Sequence, residues 1–164
     1  MYTSSMVIGD KMKITEYMFK ALQGFLSLGM VPLLGGDMMF DEHRGYSVCS
    51  GDLLAVLLSR EIGADRLIFA TDVAGVYDKD PKIDSNASLI PEININEIDQ
   101  LMKKIDASNT DASGKMKGKL KSVIPAADLI KNGLDVSILS MMESNNLKRY
   151  LEGKRIQGTR IFAK

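Results

Sequence analysis

Four short segments combine glycine, acid and lysine in orders that suit phosphate chemistry. Gly35-Gly36-Asp37 follows the apolar run 31–34. Its two glycines let backbone approach a ligand closely and its acid can orient a polar group; the same three residues also make a tight turn. Ser50-Gly51-Asp52 precedes Leu53 and Leu54. There a helix start would offer backbone N–H groups to an anion, or Ser50 or Asp52 would simply cap the helix, a contribution of about 1 kcal/mol. Thr71-Asp-Val-Ala-Gly75-Val-Tyr77-Asp-Lys79-Asp-Pro81 gathers polar groups beside an aromatic ring. That mixture suits a nucleotide base and ribose, and it also suits an ordinary loop. Asp111-Ala-Ser-Gly114-Lys115-Met-Lys117-Gly-Lys119-Leu-Lys121 sets alternate lysines at the opening of a helix. Cations there oppose the helix dipole by roughly 0.3–1 kcal/mol each. An anion shared by the lysines and the helix start would offset the conflict; a solvated basic face capped by Asp111 is the other reading.

The elements that must position these segments follow from apolar spacing. Ile14, Met18, Leu22 and Phe25 recur at helical spacing, with Gly29 as the stop. Residues 30–34 predict a short buried strand, and residues 38–49, folded about the polar turn Asp41-Glu-His-Arg-Gly45, predict a hairpin. Ser50 opens a helix with Leu54, Leu58 and Ile62 on one face and Gly63 at its end. Residues 66–70 predict a buried parallel strand, 74–92 a turn-rich stretch, and 94–104 a short helix. A longer helix from Lys115 to just before Gly133 would bury Met116, Leu120, Ile124, Ala127 and Ile130, with a kink or break at Pro125, which lacks an N–H. Strands over 136–139 and 159–162, with a helix over 144–151 between them, complete an α/β layered sheet in a single domain spanning 1–164. Ligands in such sheets bind beyond the carboxyl ends of strands, where the four segments fall.

Composition narrows the function. Lys plus Arg and Asp plus Glu both number 21, so the formal net charge is zero, against the basic footprint of a nucleic-acid binder. No apolar run reaches the roughly twenty residues of a membrane span, and the first residues lack the apolar core of a secretory signal. Cys49 is the single cysteine and His43 the single histidine. No intrachain disulfide is possible, a reducing cytoplasm is the expected compartment, and partners for a zinc site or a catalytic triad are lacking. Neither GxxxxGK[ST] nor GxGxxG occurs.

Taken together the segments resemble the amino-acid-kinase family. The string TDVAGVYDKDP looks like that family's adenine-nucleotide loop, and DASGKMKGKL like its Asp-x-Thr-Gly-Gly-Met segment with a phosphate-binding lysine. PLLGGDMMFDEHRGYSVCSGD resembles isopentenyl phosphate kinases in particular, and Gly158-Thr159-Arg-Ile161 the usual closing strand. The resemblance covers the chain from about residue 6 and implies an αβα sandwich with a largely parallel sheet, binding ATP and Mg²⁺. It implies that Lys119 contacts the ATP phosphates and that Asp52 orients that lysine. Ser50, Gly51, Gly36 and Asp37 would stand on the side of a small-molecule phosphate acceptor. Thr71, Asp72, Gly75, Tyr77, Lys79 and Pro81 would surround the nucleotide, with Gly114 near its phosphates. The implied activity is phosphorylation of isopentenyl phosphate by ATP. A uridylate or other small-molecule kinase, or a nucleotide-binding regulatory module without activity, are the alternatives. The family's N-terminal Lys-x-Gly-Gly strand end, its glycine-rich phosphate loop and the acceptor histidine have no counterpart, and Lys115 replaces the second glycine of the Gly-Gly-Met pair. The expectation is therefore the ATP-binding half of such a fold, with an exposed sheet edge open to homodimerisation or aggregation.

Overall fold

A computed structural model describes residues 1–107 and 114–164. The chain forms two compact units, Met1–Gly63 and Ala64–Lys164.

The first unit is a four-stranded sheet, ordered β2-β1-β3-β4, with two helices. Strands β1 (Val7–Asp10) and β2 (Lys13–Tyr17) form an antiparallel hairpin whose closing pair is Asp10 and Lys13. Lys11 and Met12 between them both have positive φ, 51° and 67°, the conformation a two-residue hairpin turn requires. Here the structure corrects the expected helix through Ile14 and Met18. Ile14 lies on β2, Met18 is exposed, and α1 (Lys20–Ser27) starts only after them. The helical spacing was outweighed by strand pairing. Past α1, Gly29 has φ 73° and the Met30 N–H bonds back to the Phe25 carbonyl at 3.1 Å, so the glycine stop is as read.

The expected buried strand at 30–34 is also corrected. None of the described strands pairs with it, and Val31 and Leu33 are 93% and 87% exposed; Pro32 lacks a donor, and only Leu34 packs on the unit's core. The hairpin holds, as β3 (Asp37–Asp41) and β4 (Gly45–Cys49). Its register buries Met39, Asp41, Ser47 and Cys49 on one face and leaves Met38, Phe40, Tyr46 and Val48 on the other. Asp41 ties the sheet's two hairpin turns together. Its carboxylate accepts the N–H groups of Lys11 (3.2 Å), Met12 (2.8 Å), His43 (3.1 Å) and Arg44 (3.0 Å). His43 itself is exposed in the turn, as expected. Helix α2 (Gly51–Ile62) is capped by Ser50, whose Oγ accepts the Leu53 N–H at 3.1 Å, and ends at Gly63, φ 62°. Of its predicted apolar face Leu54 is buried and Leu58 packs against the core, whereas Ile62 is exposed.

The second unit is a sheet ordered β5-β7-β8-β6 with four helices among the described residues. Strand β5 (Arg66–Thr71) runs parallel to the strand at 135–140, β6 (Glu92–Asn94) runs parallel to the strand at 158–162, and those two partners, β7 (Asp135–Ser140) and β8 (Gly158–Phe162), are antiparallel. The α/β class is as expected. Across both sheets, however, parallel and antiparallel pairings alternate rather than parallel ones prevailing. Val136, Ile138 and Leu139 have no exposed surface, the continuous burial of a strand covered on both faces.

The predicted helix at 94–104 is a 3₁₀ turn followed by α3 (Ile98–Ala107). The long helix divides at Pro125, as its missing N–H requires, into α4 (Gly114–Val123), a 3₁₀ turn (Ile124–Ala126) and α5 (Ala127–Lys131). The tighter turn shifts the phase. Leu120 and Ile130 are buried as expected, but Val123 and Ala126 take the inner positions while Ile124 turns outward and Met116 and Ala127 are half-buried. Helix α6 (Asn146–Leu151) precedes β8. Among the described residues no helix is long and apolar enough to cross a membrane.

Candidate functional site

The residues singled out in the sequence gather into two groups, one in each unit. In the first unit Gly36-Asp37 and Ser50-Gly51-Asp52 meet at the base of the β3–β4 hairpin, where Asp37 pairs with Cys49. A Cβ on Gly36 would lie 2.7 Å from the Gly51 nitrogen and 3.0 Å from the Cys49 carbonyl oxygen, so only glycine fits. The two glycine segments approach each other, backbone against backbone, and that packing alone requires glycine at 36. Asp37 accepts the Met38 N–H at 2.8 Å, and its carboxyl is held below the ordinary value first by the Ser4 side chain and then by that N–H. Gly35 accepts the Thr3 hydroxyl at 2.6 Å through its carbonyl. Asp52 stands half-buried in the first turn of α2, where a carboxylate suits the helix dipole. Cys49 has no exposed surface, and burial, with Asp37 beside it, pushes its thiol up, so it is no ready nucleophile.

The second group surrounds a cavity of about 360 Å³ at the carboxyl end of β5, within the size range of small-ligand sites and at the place an α/β sheet offers one. Seven of the eight residues expected around a nucleotide line it: Thr71, Asp72, Gly75, Tyr77, Lys79, Pro81 and Lys119. Gly114, the eighth, is the first residue of α4. Asp111 and the side chain of Lys115 lie outside the described residues.

The structure also adds members that the sequence reading missed. Ile105 from α3 and Met116 and Leu120 from α4 give the cavity an apolar side, while Lys82 and Lys117 add cations. Lys82 immediately follows the recognised string, and its charge beside Asp80-Pro81 was the available signal. Ile105 carried none, because it comes from a helix that only tertiary packing brings here.

Charge around the cavity is paired. Lys82 Nζ meets Asp72 Oδ2 at 2.5 Å, and Lys79 Nζ meets Asp84 Oδ2 at 3.0 Å. The Lys82 hydrogen bond is the chief reason the Asp72 carboxyl lies below its ordinary value, and Asp72 in turn raises Lys82. Asp84 likewise raises Lys79; Asp84 itself is lowered mainly by the Asn86 N–H and then by Lys79. The Lys119 ammonium lies 5.6 Å from the centre of the buried Phe69 ring, a cation–π distance that holds the charge on the sheet side of α4. The arrangement offers an apolar slot with a tyrosine at one side and four lysines around it, which suits an anionic ligand with a flat apolar end.

Residues 2–140 match the model of the amino acid kinase family. The chain is 32% identical over its full length to the isopentenyl phosphate kinase of Methanothermobacter thermautotrophicus, and 32% identical over 97% of its length to that of Methanocaldococcus jannaschii. It spans 60% and 55% of those relatives' own lengths. It is also 32% identical over 82% of its length to a glutamate 5-kinase of Prochlorococcus marinus, covering 36% of that protein. A solved isopentenyl phosphate kinase superposes with a TM-score of 0.75 at 28% identity, over 98% of this chain and 57% of that one. The UMP kinase of Ureaplasma parvum shares the fold at a TM-score of 0.55 and 19% identity, over 96% of this chain and 60% of that one. By the match over residues 2–140, the chain belongs to the amino acid kinase family.

Proposed function

We propose that this chain is the ATP-binding half of a cytoplasmic small-molecule phosphotransferase that converts isopentenyl phosphate and ATP to isopentenyl diphosphate and ADP. The observation that carries the reading is the convergence of seven expected residues, drawn from two separate strings, on one cavity at the carboxyl end of β5. The similarity to isopentenyl phosphate kinases supports the choice of acceptor.

Each residue then has a physical task. Tyr77, Ile105, Met116 and Leu120 offer the base an apolar, aromatic seat. Lys119, kept over Phe69, places its charge against the phosphates, and Lys79, Lys82 and Lys117 add to the field. Phosphoryl transfer depends on positioning and on neutralising the charge of the moving group rather than on covalent help from the protein. Lys119 therefore acts as a pre-placed counter-charge while the acceptor oxygen bonds to the γ-phosphorus and the bond to the β–γ bridging oxygen breaks. Gly36, Asp37, Ser50 and Gly51 are assigned to the acceptor phosphate and Asp52 to organising the site. Mg²⁺ takes one or two carboxylates together with phosphate oxygens. The cavity's Asp72 and Asp80 fit that demand, whereas no group of three or more His, Cys, Asp or Glu among the described residues could hold a metal alone. Bound there, Mg²⁺ would supply neutralisation of phosphate charge.

Similarity to a glutamate 5-kinase favours a second reading, the same donor site serving another acceptor. ADP release measured with Mg–ATP and, in turn, isopentenyl phosphate, glutamate and uridylate decides between them. Turnover with isopentenyl phosphate at least tenfold above the others is expected. Preference for glutamate or uridylate would move the assignment to that acceptor, and equal background with all three would leave a nucleotide-binding module without transfer activity.

A further inference from the structure

Outside the cavity, on β8, one side chain bonds to both ends of the loop that lines it. Thr159 is 1% exposed, and its hydroxyl makes two hydrogen bonds. It accepts the Val76 N–H at 2.8 Å and donates to the Ile90 carbonyl at 2.7 Å. Val76 and Ile90 are the two feet of the loop that carries Tyr77, Lys79, Pro81 and Lys82 into the cavity. Above them the feet are joined by Ile90 N–H to Val76 carbonyl at 2.8 Å, by the bridge between Tyr77 and Leu89, and by Asp78 N–H to Ser88 carbonyl at 3.1 Å. One hydroxyl thus closes the base of the loop and fastens it to the sheet.

Gly75 fits the same device. A Cβ there would lie 2.5 Å from Thr159 Oγ1 and 2.9 Å from the Thr159 nitrogen. The glycine is required for the loop to pass over the hydroxyl, whatever it offers a ligand. Val76 has no exposed surface, so no water can replace the hydroxyl as acceptor for its N–H, and leaving such a donor unpaired is costly.

We infer that Thr159 is a positioning residue for the nucleotide site, setting through its hydroxyl the height and tilt of the loop that presents Tyr77 and the lysines. The inference rests on the cavity being the nucleotide site, and its test separates the two. In the ligand-free chain, hydrogen exchange at the Val76 amide should speed up at least tenfold in Thr159→Val, which keeps the shape and loses the hydroxyl. In Thr159→Ser, which keeps the hydroxyl, it should stay within twofold of the parent. Amides of the β5–β7 ladder should be unchanged in both. Calorimetric titration with Mg–ATP should then show about tenfold weaker binding for the valine variant and near-parental binding for the serine variant. A global loss of stability would instead accelerate all of these amides together. Thr159→Ala carries the same test if the valine variant does not fold. Parental Val76 exchange and parental affinity in a folded variant lacking the hydroxyl would overturn the inference. If the parent chain binds no Mg–ATP, the nucleotide reading fails, and the Val76 exchange alone decides the role of Thr159.

Discussion

Asp41 has no exposed surface, yet its carboxylate accepts four backbone N–H groups drawn from two turns about thirty residues apart. Burial by itself would raise its pKa. The N–H groups of Met12, Arg44 and His43 outweigh that and hold the carboxyl well below the usual range. A group depressed in this way contributes stability above its unfolded value, and the contribution is lost only as pH falls through the folded one. Asp41 should therefore remain ionised, and the two turns joined, in mildly acidic solution below pH 3.8, the ordinary carboxylate value. Asp41→Asn puts an amide NH₂ against N–H donors and should lower the melting temperature by roughly 5–10 °C, with the difference from the parent closing at strongly acid pH. Circular dichroism melts across pH 2–7 measure this. The polar turn Asp41-Glu-His-Arg-Gly45 was legible in the sequence because glycine and acids punctuate it. The reach of Asp41 to Lys11 and Met12 was not, because nothing local records a partner thirty residues away. The same contact satisfies the N–H groups of Lys11 and Met12 in their left-handed turn, and pairing across that turn is what overrode the helical spacing of Ile14 and Met18.

At the scale of elements, the loop from Val76 to Ile90 is held by its own ladder and by two ion pairs, the exposed Lys82–Asp72 and the half-buried Lys79–Asp84. Both carboxyls are depressed and both lysines raised. The acid limbs are present above 3.8 and lost as pH falls through the depressed values; the basic limbs are present below 10.5 and lost as pH rises through the raised ones. Loop order should therefore be flat from about pH 5 to 9. Salt also weakens the pairs, the exposed Lys82–Asp72 more than the half-buried Lys79–Asp84. Raising NaCl from 50 to 500 mM at pH 7 should speed exchange at the Asp78 and Ser88 amides by a few fold while leaving the Val76 amide unchanged, as mass-resolved hydrogen exchange can show. The turn-rich character of this stretch was legible from Gly75, Pro81 and Pro91. The break at Pro125 was legible too, because a missing N–H acts wherever it falls. The phase shift past it was not: period alone placed Ile124 inside, and the 3₁₀ turn put Val123 and Ala126 there instead. Residues 30–34 show the converse, an apolar run that reads as a strand but acquires no ladder among the described strands.

At the scale of the whole molecule, sequence strings and cavity geometry point to one site. The residues expected around a nucleotide could be read because they lie in two contiguous strings, one following the strand end at Thr71 and one whose described part opens a helix at Gly114. The cavity's apolar side was hidden because Ile105 reaches it only through packing of α3. The chain spans 60% of the M. thermautotrophicus isopentenyl phosphate kinase, so the donor site is the part of the proposed reaction most directly open to trial. Calorimetric titration of the purified chain with Mg–ATP, beside a Lys119→Ala variant, is that trial. One-site binding by the parent and at least tenfold weaker binding by the variant, about 1.4 kcal/mol or more, are expected, with the variant's fold intact by circular dichroism. A folded parent chain that binds no Mg–ATP, or a variant that binds it as tightly as the parent, would contradict the assignment of this cavity to the nucleotide.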